Sequence, residues 1–292
     1  MRSGWANRPR GFDSHIYVYG RCVTQGSDKR KWRLGVVSFL NAKPLIAGLE
    51  TETDIELVLE VPARLPDLLD RGVVDVALVP VVDLFQNESR WKIVSDACIG
   101  CDGETMTVRV FSRVPPEAVR TLAADTDSHS SVMLARLLWQ ERFGRKLEIT
   151  PLSDPTSAAD SDAILLIGDK VVARPESPSL SRFNLETDVG SMWKDMFSLP
   201  LVFAVWAAPR TFDTSRLELR LSAARDRGVQ SASEIASEIG PALGWPVALA
   251  EQYLTRRLLY TLGPPQRRGM DKFRELAMKH GLLRLLETAA SK

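Results

Sequence analysis

Residues 33–79, RLGVVSFLNAKPLIAGLETETDIELVLEVPARLPDLLDRGVVDVALV, decide the fold class. Arg33-Leu-Gly-Val-Val37 is a short apolar strand, and residues 38–41 turn the chain. Lys43-Pro-Leu-Ile46 can open a helix, because a first-turn proline removes an N–H that has no partner there anyway. Ile55-Glu-Leu-Val-Leu-Glu60 alternates and reads as a second strand. Residues 62–70 put Leu65, Leu68 and Leu69 on one side of a short helix that Gly72 closes. Residues 73–79 form a near-continuous apolar run, the pattern of a parallel strand covered on both faces. Strand, helix, strand, helix, strand in about fifty residues is the form of two βαβ units.

Working outward, residues 92–99 and 106–112 read as two further strands, with Cys101-Asp102-Gly103 as the turn between them. Pro115-Pro116 punctuates the chain. A helix over 130–143, a strand over 147–150, a helical turn over 155–159 and a buried strand over 162–168 make a second α/β unit. After an apolar strand at 201–207, everything reads as helix: 213–226, 231–243, 246–262 and 267–288. Gly263-Pro264-Pro265 stops the third of these. The order predicts a two-lobed α/β protein. Lobe 1 takes 31–115 plus 200–292, lobe 2 is inserted at 116–199, and a ligand cleft lies between them. Residues 1–30 lack periodicity and are expected to be a disordered, dispensable extension.

Composition limits the function. The 292 residues are 45% hydrophobic and 26% charged, as in an ordinary globular protein. Thirty-eight Lys+Arg against 37 Asp+Glu leave a net charge of +1. Residues 1–30 carry +4, so the rest of the chain is −3. No basic excess points to nucleic acid. No apolar run approaches the ~20 residues that span a bilayer, and the N-terminus has no apolar h-region. A cytoplasmic protein with no membrane partner is expected. Cys98-Ile-Gly-Cys101 has C-x-x-C spacing but no second pair and no nearby His, so packing cysteines are expected there, as at Cys22.

Four places could carry chemistry. Ser38-Phe-Leu-Asn41 follows the first strand, where α/β sheets bind ligands, and Ser38 and Asn41 supply a hydroxyl and an amide; either could instead be a plain helix cap. Asp127-Ser-His-Ser-Ser131 opens the 130–143 helix. A helix start with this many hydroxyls suits a carboxylate or phosphate, with His129, Ser130 and Ser131 as candidate contacts, although Asp and Ser are also common caps. Residues 101–107, ending at Thr107, bring polar groups to a strand–turn–strand that could be an ordinary hairpin. Asp169 ends the buried 162–168 strand and faces either the cleft or Lys170. The chain has no dinucleotide-binding, Walker A, zincin or nucleophile-elbow motif, and three His and three Cys leave little for a metal. A two-lobed binder of a small anion with no cofactor and no metal is expected.

Five runs in this order resemble the chorismate dehydratase family: VVSFLNAKPL (36–45), GCDGETMT (100–107), SHSSVML (128–134), LLIGDK (165–170) and LPLVFAVWAA (199–208). YLTRRLLYTLG (253–263) and GMDKFRELA (269–277) resemble it too. The resemblance covers 32–288 and implies a type II periplasmic-binding-protein fold used as an intracellular lyase of menaquinone biosynthesis. The implied reaction takes water from chorismate to give 3-[(1-carboxyvinyl)oxy]benzoate, without cofactor. It implies Asn41 and Thr107 as catalytic, Thr107 standing where the family often has Ser. Ser130 and Ser131 match the family's hydroxyl pair, and His129 stands where Arg is more frequent. Ser38 and Asp169 complete the expected substrate contacts. A homodimer is compatible with this reading. Two alternatives share the fold: the solute-binding protein of a transporter, and the sister dihydroxynaphthoate synthase of the same pathway.

Overall fold

The computed structural model describes residues 31–152, 158, 160–173 and 181–283. Residues 1–30, most of the expected turn at 155–159, and the end of the last expected helix lie outside the described residues.

The quoted stretch forms β1 (Trp32–Val37), β2 (Ile55–Glu60) and β3 (Val76–Pro80). β1 lies between the other two and is parallel to both, with Trp32 opposite Ile55 and Leu34 opposite Val76. Every residue of β3 is buried, as its unbroken apolar run requires. A 3₁₀ helix (Leu40–Ile46) follows β1 and admits Pro44. Helix α1 (Leu65–Asp70) follows β2, and Gly72 reverses the chain beyond it at φ 65°. A short helix α2 (Val81–Gln86), not expected from the sequence, leaves β3.

β4 (Trp91–Cys101) and β10 (Leu201–Pro209) pair antiparallel, and β10 joins β3, so the returning chain closes the first sheet. With β11 (Leu258–Thr261), the first sheet has the order β11-β4-β10-β3-β1-β2. The second contains β5 (Val108–Ser112), β6 (Thr121–Ala124), β7 (Glu148–Pro151), β8 (Ala163–Ile167) and β9 (Leu185–Asp188), in the order β7-β6-β8-β5-β9. Helix α3 (His129–Phe143) and the four-residue α4 (Asp169–Val172) belong with this sheet, and α5 (Val189–Phe197) leads back towards β10. Helices α6 (Ser215–Gln230), α7 (Ala232–Ile239), α8 (Val247–Gln252) and α9 (Pro264–Lys279) follow, and α6 packs on β4 and on the 3₁₀ helix.

Four expectations are corrected. Residues 101–103 are not a hairpin turn: β4 and β5 belong to different sheets, because β5 finds its antiparallel partners in β8 and β9. The lobe boundary therefore falls in the 102–107 crossing rather than at 115–116. The expected helix over 246–262 breaks at a π-helical turn (Tyr253–Arg257), and strand β11 (Leu258–Thr261) follows. The open edge of β4 captures Leu258-Leu-Tyr-Thr261, and tertiary pairing overrides helical periodicity. Gly263 consequently does not end a helix but caps the start of α9, with Pro264 in the first turn.

Two crossings join the lobes, 102–107 and the segment from β9 to β10. Asp188 ties them together. Its carboxylate accepts from Thr105 N–H at 3.0 Å, Thr105 Oγ1 at 2.9 Å and Met106 N–H at 3.0 Å in one crossing. In the other it caps α5 through the Gly190 and Ser191 N–H groups, both at 3.0 Å. Met106 (φ 63°) and Ser198 (φ 55°), the non-glycine residues with left-handed backbone among those described, sit one in each crossing.

Candidate active site

A cleft with about 530 Å³ of empty space, part of it open to solvent, lies between the two sheets. Its walls are apolar: Val37, Phe39, Ile99 and Phe203 come from the first lobe, Val108 and Ile167 from the second. The polar lining consists of Asn41, Thr105, Thr107, Ser128, Ser131 and Tyr253. Among the described residues, none that lines it is an Asp, Glu, Lys, Arg, His or Cys.

Asn41 lies inside the 3₁₀ helix after β1, and the cap of that helix is Phe39, with no side-chain cap bond. The cap reading of Ser38 and Asn41 therefore fails. Asn41 Oδ1 is buried with no hydrogen-bond partner among the described residues. A buried, unpaired carboxamide oxygen costs on the order of 1–3 kcal/mol, so something in the cavity should donate to it. Thr107 precedes β5, and its Oγ1 lies 2.6 Å from the Tyr253 hydroxyl. The Asn41 side chain reaches the same hydroxyl. Burial pushes the Tyr253 phenol well above its ordinary value, against the bonds from Thr107 and Asn41, so it stays a neutral hydroxyl near pH 7.

The α3 start divides its hydroxyls between two directions. Ser128 is the cap: its Oγ accepts from Ser131 N–H at 3.2 Å and lies 2.9 Å from Ser131 Oγ. Both serines face the cavity. Ser130 turns away, and its Oγ donates to the Phe203 carbonyl at 3.1 Å. His129 also turns away and meets Asp83 of α2, with Nδ1 3.0 Å from either carboxylate oxygen. The bond to Asp83 holds the imidazole pKa above its ordinary value, against partial burial. Neither Ser38 nor Asp169 lines the cavity. Ser38 N–H donates to the Glu60 carbonyl at 2.9 Å. Asp169 accepts from Leu40 N–H and from the Trp245 indole.

The family model for menaquinone biosynthesis matches residues 32–279, most of the chain. The chain belongs to this menaquinone-biosynthesis family. The chorismate dehydratase of Thermus thermophilus is 29% identical over 267 residues, covering 84% of this chain and 95% of that protein. Among solved structures, a protein of Archaeoglobus fulgidus superposes with a TM-score of 0.67 at 15% identity, over 88% of this chain and all of the other. The periplasmic aliphatic sulphonate binding protein of Escherichia coli gives 0.59 at 12% identity, over 88% of this chain and 89% of its own. The fold is that of the two-lobed periplasmic binding proteins.

Set against the residues expected for this menaquinone-biosynthesis protein, the cavity brings together Asn41, Thr107 and Ser131. Ser38, His129, Ser130 and Asp169 are not among the residues that line it. Sequence reasoning missed Tyr253 and passed over Ser128 as one of a cluster. Tyr253 opens the π-turn and is buried there. No local pattern announces such a turn; its only sign was membership of the 253–263 run. Cys98 and Cys101 are buried in β4, and burial pushes the Cys98 thiol up to about 12, as packing cysteines require. Among the described residues no group of three or more His, Cys, Asp or Glu could hold a metal ion, and no helix is long and apolar enough to cross a membrane.

Proposed function

We propose that the chain is a cytoplasmic hydro-lyase that converts chorismate into 3-[(1-carboxyvinyl)oxy]benzoate and water. The observation that carries this reading is the interlobe cavity itself. It holds an unpartnered Asn41 carboxamide oxygen beside the Thr107–Tyr253 hydroxyl pair, and none of the described residues that line it is charged. The likeness to a chorismate dehydratase along 95% of that enzyme's length supports it.

The chemistry follows from the lining. Chorismate loses the hydrogen on C3 and the hydroxyl on C4, and its ring becomes aromatic. Aromatisation supplies driving force, so the protein has mainly to orient the ring and stabilise charge as it develops. With no carboxylate or imidazole in the lining, the substrate's own enolpyruvyl carboxylate takes the C3 proton. Asn41 and the Thr107 hydroxyl, backed by Tyr253, hydrogen-bond the departing C4 hydroxyl. The α3 start, with Ser128 and Ser131, receives a carboxylate through its dipole and free N–H groups. The apolar walls exclude water from the reacting face.

Purified protein incubated with chorismate should yield the aromatic product, read as a loss of one water by mass spectrometry. Tight binding of chorismate with no turnover would make the protein a binder and end this reading. Turnover only of the later substrate of the pathway would assign it to the sister synthase.

A further inference from the structure

Asp169 was expected to touch substrate, yet it lies outside the cavity lining. Its position is forced. Gly168 ends β8 with φ 59° and ψ −145°, a conformation open to glycine alone. A Cβ at Gly168 would stand 2.6 Å from the Phe39 ring, so the end of β8 presses directly on the first lobe. The Asp169 carboxylate then crosses the interface. Both its oxygens lie 3.3 Å from Leu40 N, and Oδ1 accepts from Trp245 Nε1 at 2.9 Å. Both donors belong to the first lobe, and the Lys43 ammonium adds attraction from the same 3₁₀ helix.

Each donor leads to a polar group of the cavity. Leu40 N–H opens the 3₁₀ helix, and the next residue is Asn41. The Trp245 indole stacks on the Tyr253 ring, with centroids 4.8 Å apart and planes inclined by 13°. The Tyr253 hydroxyl in turn meets Thr107, whose carbonyl accepts from Gly168 N–H at 2.8 Å. One half-buried carboxylate of the second lobe thus sets two groups that converge on the reacting site, and it is not among the residues lining the cavity.

We propose that Asp169 is a positioning residue: it latches the lobes and, through Leu40 N–H and the Trp245 indole, seats Asn41 and Tyr253 for the elimination. The kinetic part of this proposal rests on the dehydratase reading above. A direct substrate contact would change KM and would not involve Trp245. A latch predicts that removing either end has the same effect.

The test compares Asp169→Ala, Asp169→Asn, Trp245→Phe and the double variant Asp169→Ala/Trp245→Phe in the full chain. Asp169→Ala should lower kcat on the order of 10- to 100-fold with little change in KM, as small misplacements of reacting groups do. Trp245→Phe keeps the stacking ring and loses the donor, and should also lower kcat. The double variant should be little worse than Asp169→Ala alone, since both break one linkage. Asp169→Asn retains an acceptor and should recover most of kcat. A rise in KM on Asp169→Ala with Trp245→Phe behaving as wild type would overturn the latch, and so would strictly additive losses. Hydrogen exchange at the Trp245 indole, assigned by its disappearance in Trp245→Phe, reads the latch without activity. It should be protected in the wild type and Asp169→Asn and unprotected in Asp169→Ala. An indole that exchanges freely in the wild type refutes the latch. Chorismate left unconverted by the wild type refutes the dehydratase reading and leaves the exchange experiment decisive. Should Asp169→Ala fail to fold, Trp245→Phe and Asp169→Asn carry the comparison.

Discussion

Asn41 and Ser131 face one cavity but serve different moments of the reaction. Asn41→Ala should lower kcat by about 10²–10³ with little change in KM, the scale of losing one preorganised hydrogen-bonding group at the reacting centre. Ser131→Ala should instead raise KM, because a carboxylate contact is made equally in ground and transition states. Ser130→Ala is the control: its hydroxyl is bonded to the Phe203 carbonyl, so it should cost about 1 kcal/mol of stability and leave KM alone. Steady-state kinetics beside denaturation curves separate the three. His129 offers a pH test. Its pKa is raised by Asp83, so the pair's contribution is complete below the ordinary value of 6.5 and is lost as pH rises through the raised folded-state value. The imidazole is half exposed, so the gain is small, under about 1 kcal/mol. The Tm difference between wild type and His129→Gln should shrink as pH climbs from slightly acid to alkaline.

Among the elements, α6 has the most direct hold on the site, because it packs on the 3₁₀ helix that carries Asn41. The contact is backbone to backbone. A Cβ at Gly228 would stand 2.0 Å from the Pro44 carbonyl oxygen. Gly→Ala inside a helix ordinarily stabilises by roughly 0.5–1 kcal/mol. Here the sign should reverse: Gly228→Ala should destabilise by about 1–3 kcal/mol through overpacking and displace the 3₁₀ helix. A lower Tm accompanied by a lower kcat is the expected result; a raised Tm would show that α6 can slide. At this scale the sequence was legible where an element's partners are local or its faces uniform. β3 announces itself because both of its faces are buried. β6, β9 and α2 are too short to develop a period, and β11 sits inside a helical pattern that an open sheet edge overrides.

Among the described residues the larger of two apolar clusters runs through both sheets, from Leu34 and Val79 to Val110 and Leu165. The lobes should therefore unfold together: fluorescence and far-UV circular dichroism should report coincident denaturant transitions. Asp188→Ala removes the acceptor that joins both crossings and should lower stability on the order of 3 kcal/mol; a loss below about 0.5 kcal/mol would show that the crossings hold without it. The sequence by itself determined the alternation of strands and helices, the insertion of one α/β unit into another, and the strand ends where Asn41 and the α3 serines stand. These follow from burial patterns and turn chemistry, which act over a few residues. Only the tertiary structure decided which of those residues meet. Ser130 and Ser131 are neighbours in sequence but about 100° apart around a helix, so packing against Phe203 sends one away and leaves the other facing the cavity. Tyr253 reaches Thr107 across 146 positions through a π-turn, and Asp169 reaches Leu40 across 129 because glycine lets β8 press on Phe39. Contacts of that separation depend on how whole sheets close on each other, and no local pattern in the chain encodes them.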